Sequence, residues 1–127
     1  AYGLERFTLT KGSEQTMTRA LGRAISKQEW IVVTGWVPHW MFARWELKFL
    51  DDPKNIFGGE EHINTIVRKG LAEDMPTAFE FLDNFYWKPE DMGQLMVWIH
   101  DDEGLFPYEK ALRYIRTHPK QIESWLP

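Results

Sequence analysis

The segment TGWVPHWMFARW, Thr34 to Trp45, gathers the residues best suited to chemistry in this chain. Counting Trp30, it holds four of the seven tryptophans within sixteen residues. Gly35 permits a sharp bend or a close approach beside Trp36. An indole face attracts a cation with roughly 0.5 to 2 kcal/mol, more when water is excluded. A quaternary ammonium donates no hydrogen bonds, so water competes poorly for it. Three residues after Trp36, following Pro38, His39 can offer an imidazole N–H to an anion. Together the two groups suit a small zwitterion carrying a quaternary ammonium and a carboxylate.

The same residue types also serve as plain packing. Trp36, Trp40 and Trp45 can fill an interface between lobes, with His39 satisfied by a backbone carbonyl; residue type leaves both readings open. Trp40 and Trp45, beside Met41 and Phe42, suit core or strand-exit packing. Trp30, Trp98 and Trp125 occupy apolar periodic positions and read as core, and Trp87 as a staple at a helix start.

Catalytic and metal chemistry find less support. His100-Asp101-Asp102-Glu103 and Glu60-Glu61-His62 mix imidazole and carboxylate, without a recognised ligand spacing such as two histidines four apart. The first reads better as a solvated helix end. Ser13, Ser26 and Ser124 sit in no nucleophile elbow. The FGGEE run lacks the lysine of a phosphate loop. The expectation is a binding protein, not an enzyme, with no metal and no cofactor.

The totals narrow the class. With 127 residues the chain suits one compact unit. A net charge of −4 and the lack of a dense basic stripe disfavour nucleic acid. No apolar run approaches the roughly 18 residues that span a bilayer, and no cysteine offers a disulfide or a thiolate.

These candidates need elements to position them. Phe7 to Thr10 alternate and favour a strand. Ser13 can cap a helix whose apolar positions are Met17, Ala20, Leu21, Ala24 and Ile25. Trp30 to Val33 form an apolar, β-branched run, as in a strand covered on both faces. The order is that of a βαβ crossover, which predicts an α/β layer. Pro38 should turn the chain out of the sheet. Residues 43 to 52 alternate as a connecting strand, DDPKNIFGGEE reads as a loop, and Ile63 to Val67 as one more strand. Beyond Gly70 the pattern is helical, with breaks expected before Pro76, Pro89 and Pro119 and a start at Pro107. Met92, Leu95, Met96 and Ile99 share one face of the helix after Pro89.

The predicted organisation is residues 1–44 as an α/β portion, 45–62 as a crossover strand and loop, and 63–127 as a strand with carboxy-terminal helices. One βαβ unit leaves sheet edges and faces needing cover, which calls for a partner segment.

IVVTGWVPHWMFARWELKFLDDPK, followed by FGGEEHINTIVRKGLAEDMPTAFEFLDNFYWKPEDMGQLMVWI, closely resembles the carboxy-terminal portion of the glycine betaine and proline betaine substrate-binding proteins of ABC transporters. The likeness covers nearly the whole chain, and GWVPHWMF is its most specific part. It implies part of a two-lobe, type II periplasmic-binding-protein fold: a βαβ portion of one lobe, a hinge strand, then helical completion of the other. It implies that residues 1–44 carry half of a ligand site, that Trp36 is a wall of an aromatic cage around the ammonium and that His39 donates to the carboxylate. Gly35, Pro38 and Trp40 support them. The other cage walls would come from an absent amino-terminal half or from a second, swapped copy. Further implied are an ABC permease as partner and a location in the periplasm or on the outer face of the membrane. The rival readings are a betaine-binding-like sensory or regulatory module, and an oligomeric fragment without independent binding.

Overall fold

The computed structural model describes residues 2–59 and 61–127. Seven helices form among them: α1 (Glu14–Lys27), α2 (Trp40–Arg44), α3 (Leu71–Asp74), α4 (Pro76–Asn84), α5 (Pro89–Asp101), α6 (Pro107–Thr117) and α7 (Pro119–Trp125). They fall into two units, one of Ala1–Trp36 with Leu47–Gly59 and one of Val37–Glu46 with Glu60–Pro127.

The first unit is built on α1. Ser13 caps it, its hydroxyl oxygen accepting the Thr16 N–H at 3.3 Å. Glu14 in the first turn and Lys27 in the last complement the helix dipole. Thr18, Leu21 and Ala24 make the buried stripe, and the Thr18 hydroxyl is satisfied by donating to the Glu14 carbonyl at 2.9 Å. The helix stops because Gln28 turns left-handed at φ 57 and the Glu29 N–H reaches back to the Ala24 carbonyl at 2.8 Å.

The second unit is a helical stack punctuated by proline. Pro76, Pro89, Pro107 and Pro119 each open a helix, where the missing N–H costs nothing and the fixed φ already suits the first turn. The break between α6 and α7 at His118 is bridged by the Tyr114 hydroxyl, which donates to the Gln121 side-chain oxygen. Tyr114 is 1% exposed and stacks on His118 at 3.9 Å. Burial raises its phenol above the ordinary range, with the charge of Asp91 adding to the effect. Trp125 is also buried, and its indole N–H donates to the Tyr86 carbonyl at 3.0 Å. Trp87 lies against both Tyr114 and Trp125, at 4.8 and 5.2 Å between ring centroids. The Arg113 guanidinium sits 4.2 Å over Trp98.

The expected α/β class is overturned. The described residues contain helices and no β-strand, so the βαβ portion, the hinge strand and the strand at Ile63 to Val67 are all corrected. A strand exists only where a second backbone lies about 4.8 Å away to take its N–H and C=O groups. No such ladder forms among the described residues at 7–10, 30–33, 43–52 or 63–67, and residues 43 and 44 belong to α2 instead. The alternating and β-branched pattern records a preference for extended backbone and cannot supply the neighbour. Burial fails in the same places. Trp30, read as core, is fully exposed, and Leu9, Val32, Ile63 and Ile66 are exposed with it.

Candidate functional site

His39 is placed by α2. Its backbone is extended, φ −150 and ψ 141, and it stands as the residue just before the helix. Its carbonyl accepts the Phe42 N–H at 3.2 Å, the first bond of the turn. Its ring nitrogen Nδ1 accepts the Met41 N–H at 3.1 Å. That second bond decides the chemistry. An Nδ1 that accepts carries no proton, so in the neutral imidazole the proton sits on Nε2 and makes that nitrogen the donor. The ring is 2% exposed. The Nδ1 edge of the ring is thus occupied by a backbone N–H, and the donor is on its Nε2 edge.

Five residues cannot hold a helix by themselves, because nucleation costs more than one turn returns. α2 is ordered by what it lies on. Met41 and Trp40 are buried, and α2 packs along α5. Gly93 of α5 is buried at the crossing, where an added Cβ would lie 3.5 Å from the Ala43 Cβ and 3.9 Å from the His39 carbonyl oxygen. Trp40 stacks on His100 with 3.8 Å between centroids and 30° between planes. Trp45, the residue after α2, also packs on Trp40, tilted by 53° with 5.5 Å between centroids. Arg44 Nη2 donates to the Asp101 carboxylate at 2.8 Å, and its guanidinium lies 5.9 Å from the Trp40 ring.

These contacts also use up the candidate metal cluster. His100 serves the Trp40 stack, Asp101 pairs with Arg44 and Asp102 pairs with Lys110. Among the described residues no group of three histidine or carboxylate side chains is arranged to hold a metal ion. In the Glu60-Glu61-His62 candidate, Glu60 lies outside the described residues.

Trp36 and Gly35 belong to the first unit, and Pro38, His39 and Trp40 to the second. Trp36 is 51% exposed. Pro38 is half-buried and follows a cis peptide bond from Val37.

One arrangement in the first unit escaped the sequence reading. The Asp52 carboxylate accepts the Phe57 N–H at 2.7 Å and the Tyr2 hydroxyl proton, and the Tyr2 oxygen in turn accepts the Lys54 N–H at 2.9 Å. The Phe57 bond, then the Tyr2 bond, holds the Asp52 carboxyl below the usual carboxylate range. Desolvation, then the bond to Asp52, raises the Tyr2 phenol. Asp-Asp-Pro marks a turn, but nothing local announces a tyrosine fifty residues away.

Residues 1–117 match the family described as the substrate binding domain of ABC-type glycine betaine transport systems. The glycine betaine/carnitine transport binding protein GbuC of Listeria monocytogenes is 47% identical over 121 residues, which are 95% of this chain and 40% of that protein. Two solved structures are also similar. Lactococcal OpuAC, in its closed-liganded conformation with glycine betaine, matches with a TM-score of 0.74 and 44% identity over 99% of this chain and 49% of its own. The glycine betaine, L-proline transporter binding protein ProX of Borrelia burgdorferi matches with a TM-score of 0.71 and 38% identity over 99% of this chain and 48% of its own. The chain thus spans about half the length of the relatives it matches, or somewhat less. With nearly the whole chain inside the match, it belongs to the family of substrate-binding domains of ABC-type glycine betaine transport systems.

Proposed function

We propose that this chain contributes part of the ligand site in the binding component of an ABC importer for glycine betaine, proline betaine or a similar osmoprotectant. Trp36 offers an indole face to the quaternary ammonium. His39 donates its Nε2–H to the ligand carboxylate. Gly35 before Trp36 and Pro38 before His39 shape the chain at those two residues, and Trp40 holds His39 in place. The role is capture without bond chemistry, so the chain is not an enzyme. The binding component works outside the cytoplasm, in the periplasm or on the outer face of the membrane, and delivers its ligand to a permease. Further cage walls come from protein beyond these residues, in the amino-terminal direction or from a second copy.

The observation that carries this reading is the bond from the Met41 N–H to His39 Nδ1. It sets the tautomer needed for donation before any ligand arrives, and a preset donor avoids the entropy of ordering one during binding. The family match supplies the ligand class, and the half-exposed indole of Trp36 supports the cation–π role.

Calorimetry on the complete binding protein tests both residues. Trp36→Ala is expected to weaken glycine betaine binding by about 2 kcal/mol, roughly thirtyfold. His39→Ala is expected to weaken glycine betaine more than choline, which lacks the carboxylate. An unchanged affinity in Trp36→Ala removes the cage role. Equal losses for the two ligands in His39→Ala leave His39 a structural cap.

A further inference from the structure

The structure assigns His100 as a positioning residue for His39, acting through Trp40; the assignment rests on the proposed role of His39 as the carboxylate donor. His100 is the twelfth residue of α5, and Gly93 lies two turns earlier on the same face. These two positions meet α2 in different ways. At Gly93 the backbone of α5 lies close under α2, so that a Cβ there would touch Ala43 and the His39 carbonyl at ordinary contact distance. At His100 an aromatic ring rises to meet Trp40, with centroids 3.8 Å apart.

Trp40 passes this contact to its neighbour. The His39 and Trp40 rings are 5.4 Å apart and tilted by 31°. The direction of the His39 ring is thus held in part by the Met41 N–H and in part by the Trp40 indole. Trp40 in turn contacts both His100 and Trp45. Arg44 then ties α2 to the end of α5, through Asp101 at 2.8 Å and with Nη1 3.5 Å from His100 Nδ1. α2 has only five residues and depends on its contacts to stay ordered, so each brace bears on the angle of the ring. His100 itself is exposed, so its side chain fills no core volume; its contribution is the platform.

The test is made on the complete binding protein with three variants, His100→Ala, His100→Phe and His39→Ala combined with His100→Ala. His100→Ala is expected to lower glycine betaine affinity by about fivefold, the effect of one lost aromatic contact, and His100→Phe to restore it by restoring the platform. In the His39→Ala background the second change is expected to add nothing, because the path through His39 is already cut. The ring resonances of His39 give a second readout without ligand: they should shift in His100→Ala and return in His100→Phe. Unmoved His39 resonances in a folded His100→Ala protein overturn the assignment, as does a full further loss in the double variant. If His39→Ala alone leaves glycine betaine affinity unchanged, the donor role fails instead, and the ring resonances still decide whether His100 positions His39.

Discussion

The two units differ in whether they bury any large aromatic side chain: the second buries Trp40, Tyr114 and Trp125 while leaving Tyr86, Phe106 and Tyr108 exposed, and the first buries none among the described residues. In the second, Met41 is buried as well, and even the imidazole of His39 is enclosed. In the first, one helix buries Leu21 and Ala24, while Leu9, Trp30, Val32 and Phe57 stand exposed. The difference lies in what each kind of backbone needs. A helix satisfies its own N–H and C=O groups and asks its neighbours only for an apolar stripe to meet. Short helices set end to end by prolines can therefore close a core among themselves. An extended segment satisfies nothing alone, and its side chains stay in water until another backbone lies beside it.

The largest expected effect belongs to the enclosed unit. Tyr114→Ala should destabilise it by about 4 kcal/mol, the cost of a large cavity at a fully buried aromatic position, read as a shift in the denaturant midpoint of the far-ultraviolet signal. Tyr114→Phe keeps the ring and removes only the bond to Gln121 across the Pro119 break, so the loss should fall to about 1 kcal/mol. Equal losses in the two variants would mean that the hydroxyl bond, and not the packed ring, holds α6 to α7.

A smaller effect, visible mainly with pH, is expected in the first unit. The folded-state carboxyl of Asp52 titrates below its ordinary value of 3.8. Its contribution is therefore complete above that value and is lost as the pH falls through the lowered folded value. Carboxyl resonances of Asp52 should titrate below those of a free aspartate, and the Phe57 amide resonance should follow the same curve. In Asp52→Asn that low-pH change at Phe57 should vanish. A Phe57 amide that still follows the curve in Asp52→Asn would place the controlling charge elsewhere.

How much of this was legible in the sequence follows the same division. Ser13, Pro76, Pro89, Pro107 and Pro119 act within a turn of where they stand, so the helices they open could be placed from the chain alone. The extended runs could be recognised as extended but not as unpaired, because pairing is decided at long range. His39 was singled out for its chemistry, whereas its capping bond was not foreseen. Histidine is outside the usual set of capping residues, and a ring nitrogen replaces the expected hydroxyl or carboxylate oxygen. Trp40 could be assigned to support, but its partner His100 stood in a run of acids and drew attention as a ligand. Sixty residues separate the two, and only the fold makes them neighbours.

The sharpest way to break the contrast is also the smallest expected effect. Trp30 follows the end of α1 and is fully exposed, so Trp30→Ser should change stability by no more than about 0.5 kcal/mol, as surface substitutions do. Its consequence should instead be a gain in solubility, because an exposed indole beside Ile31 and Val32 forms an apolar strip of the kind that draws other chains onto it. Denaturant unfolding and sedimentation at rising concentration, run on Trp30→Ser and Tyr114→Ala together, compare the two units directly. A loss at Trp30 as large as the loss at Tyr114 would show that residues 30–33 are covered in solution, and the concentration dependence would show whether a second copy covers them. A loss near zero, with Tyr114→Ala strongly destabilised, locates the stability of this chain in its proline-punctuated helices, the same unit that holds His39 at its angle.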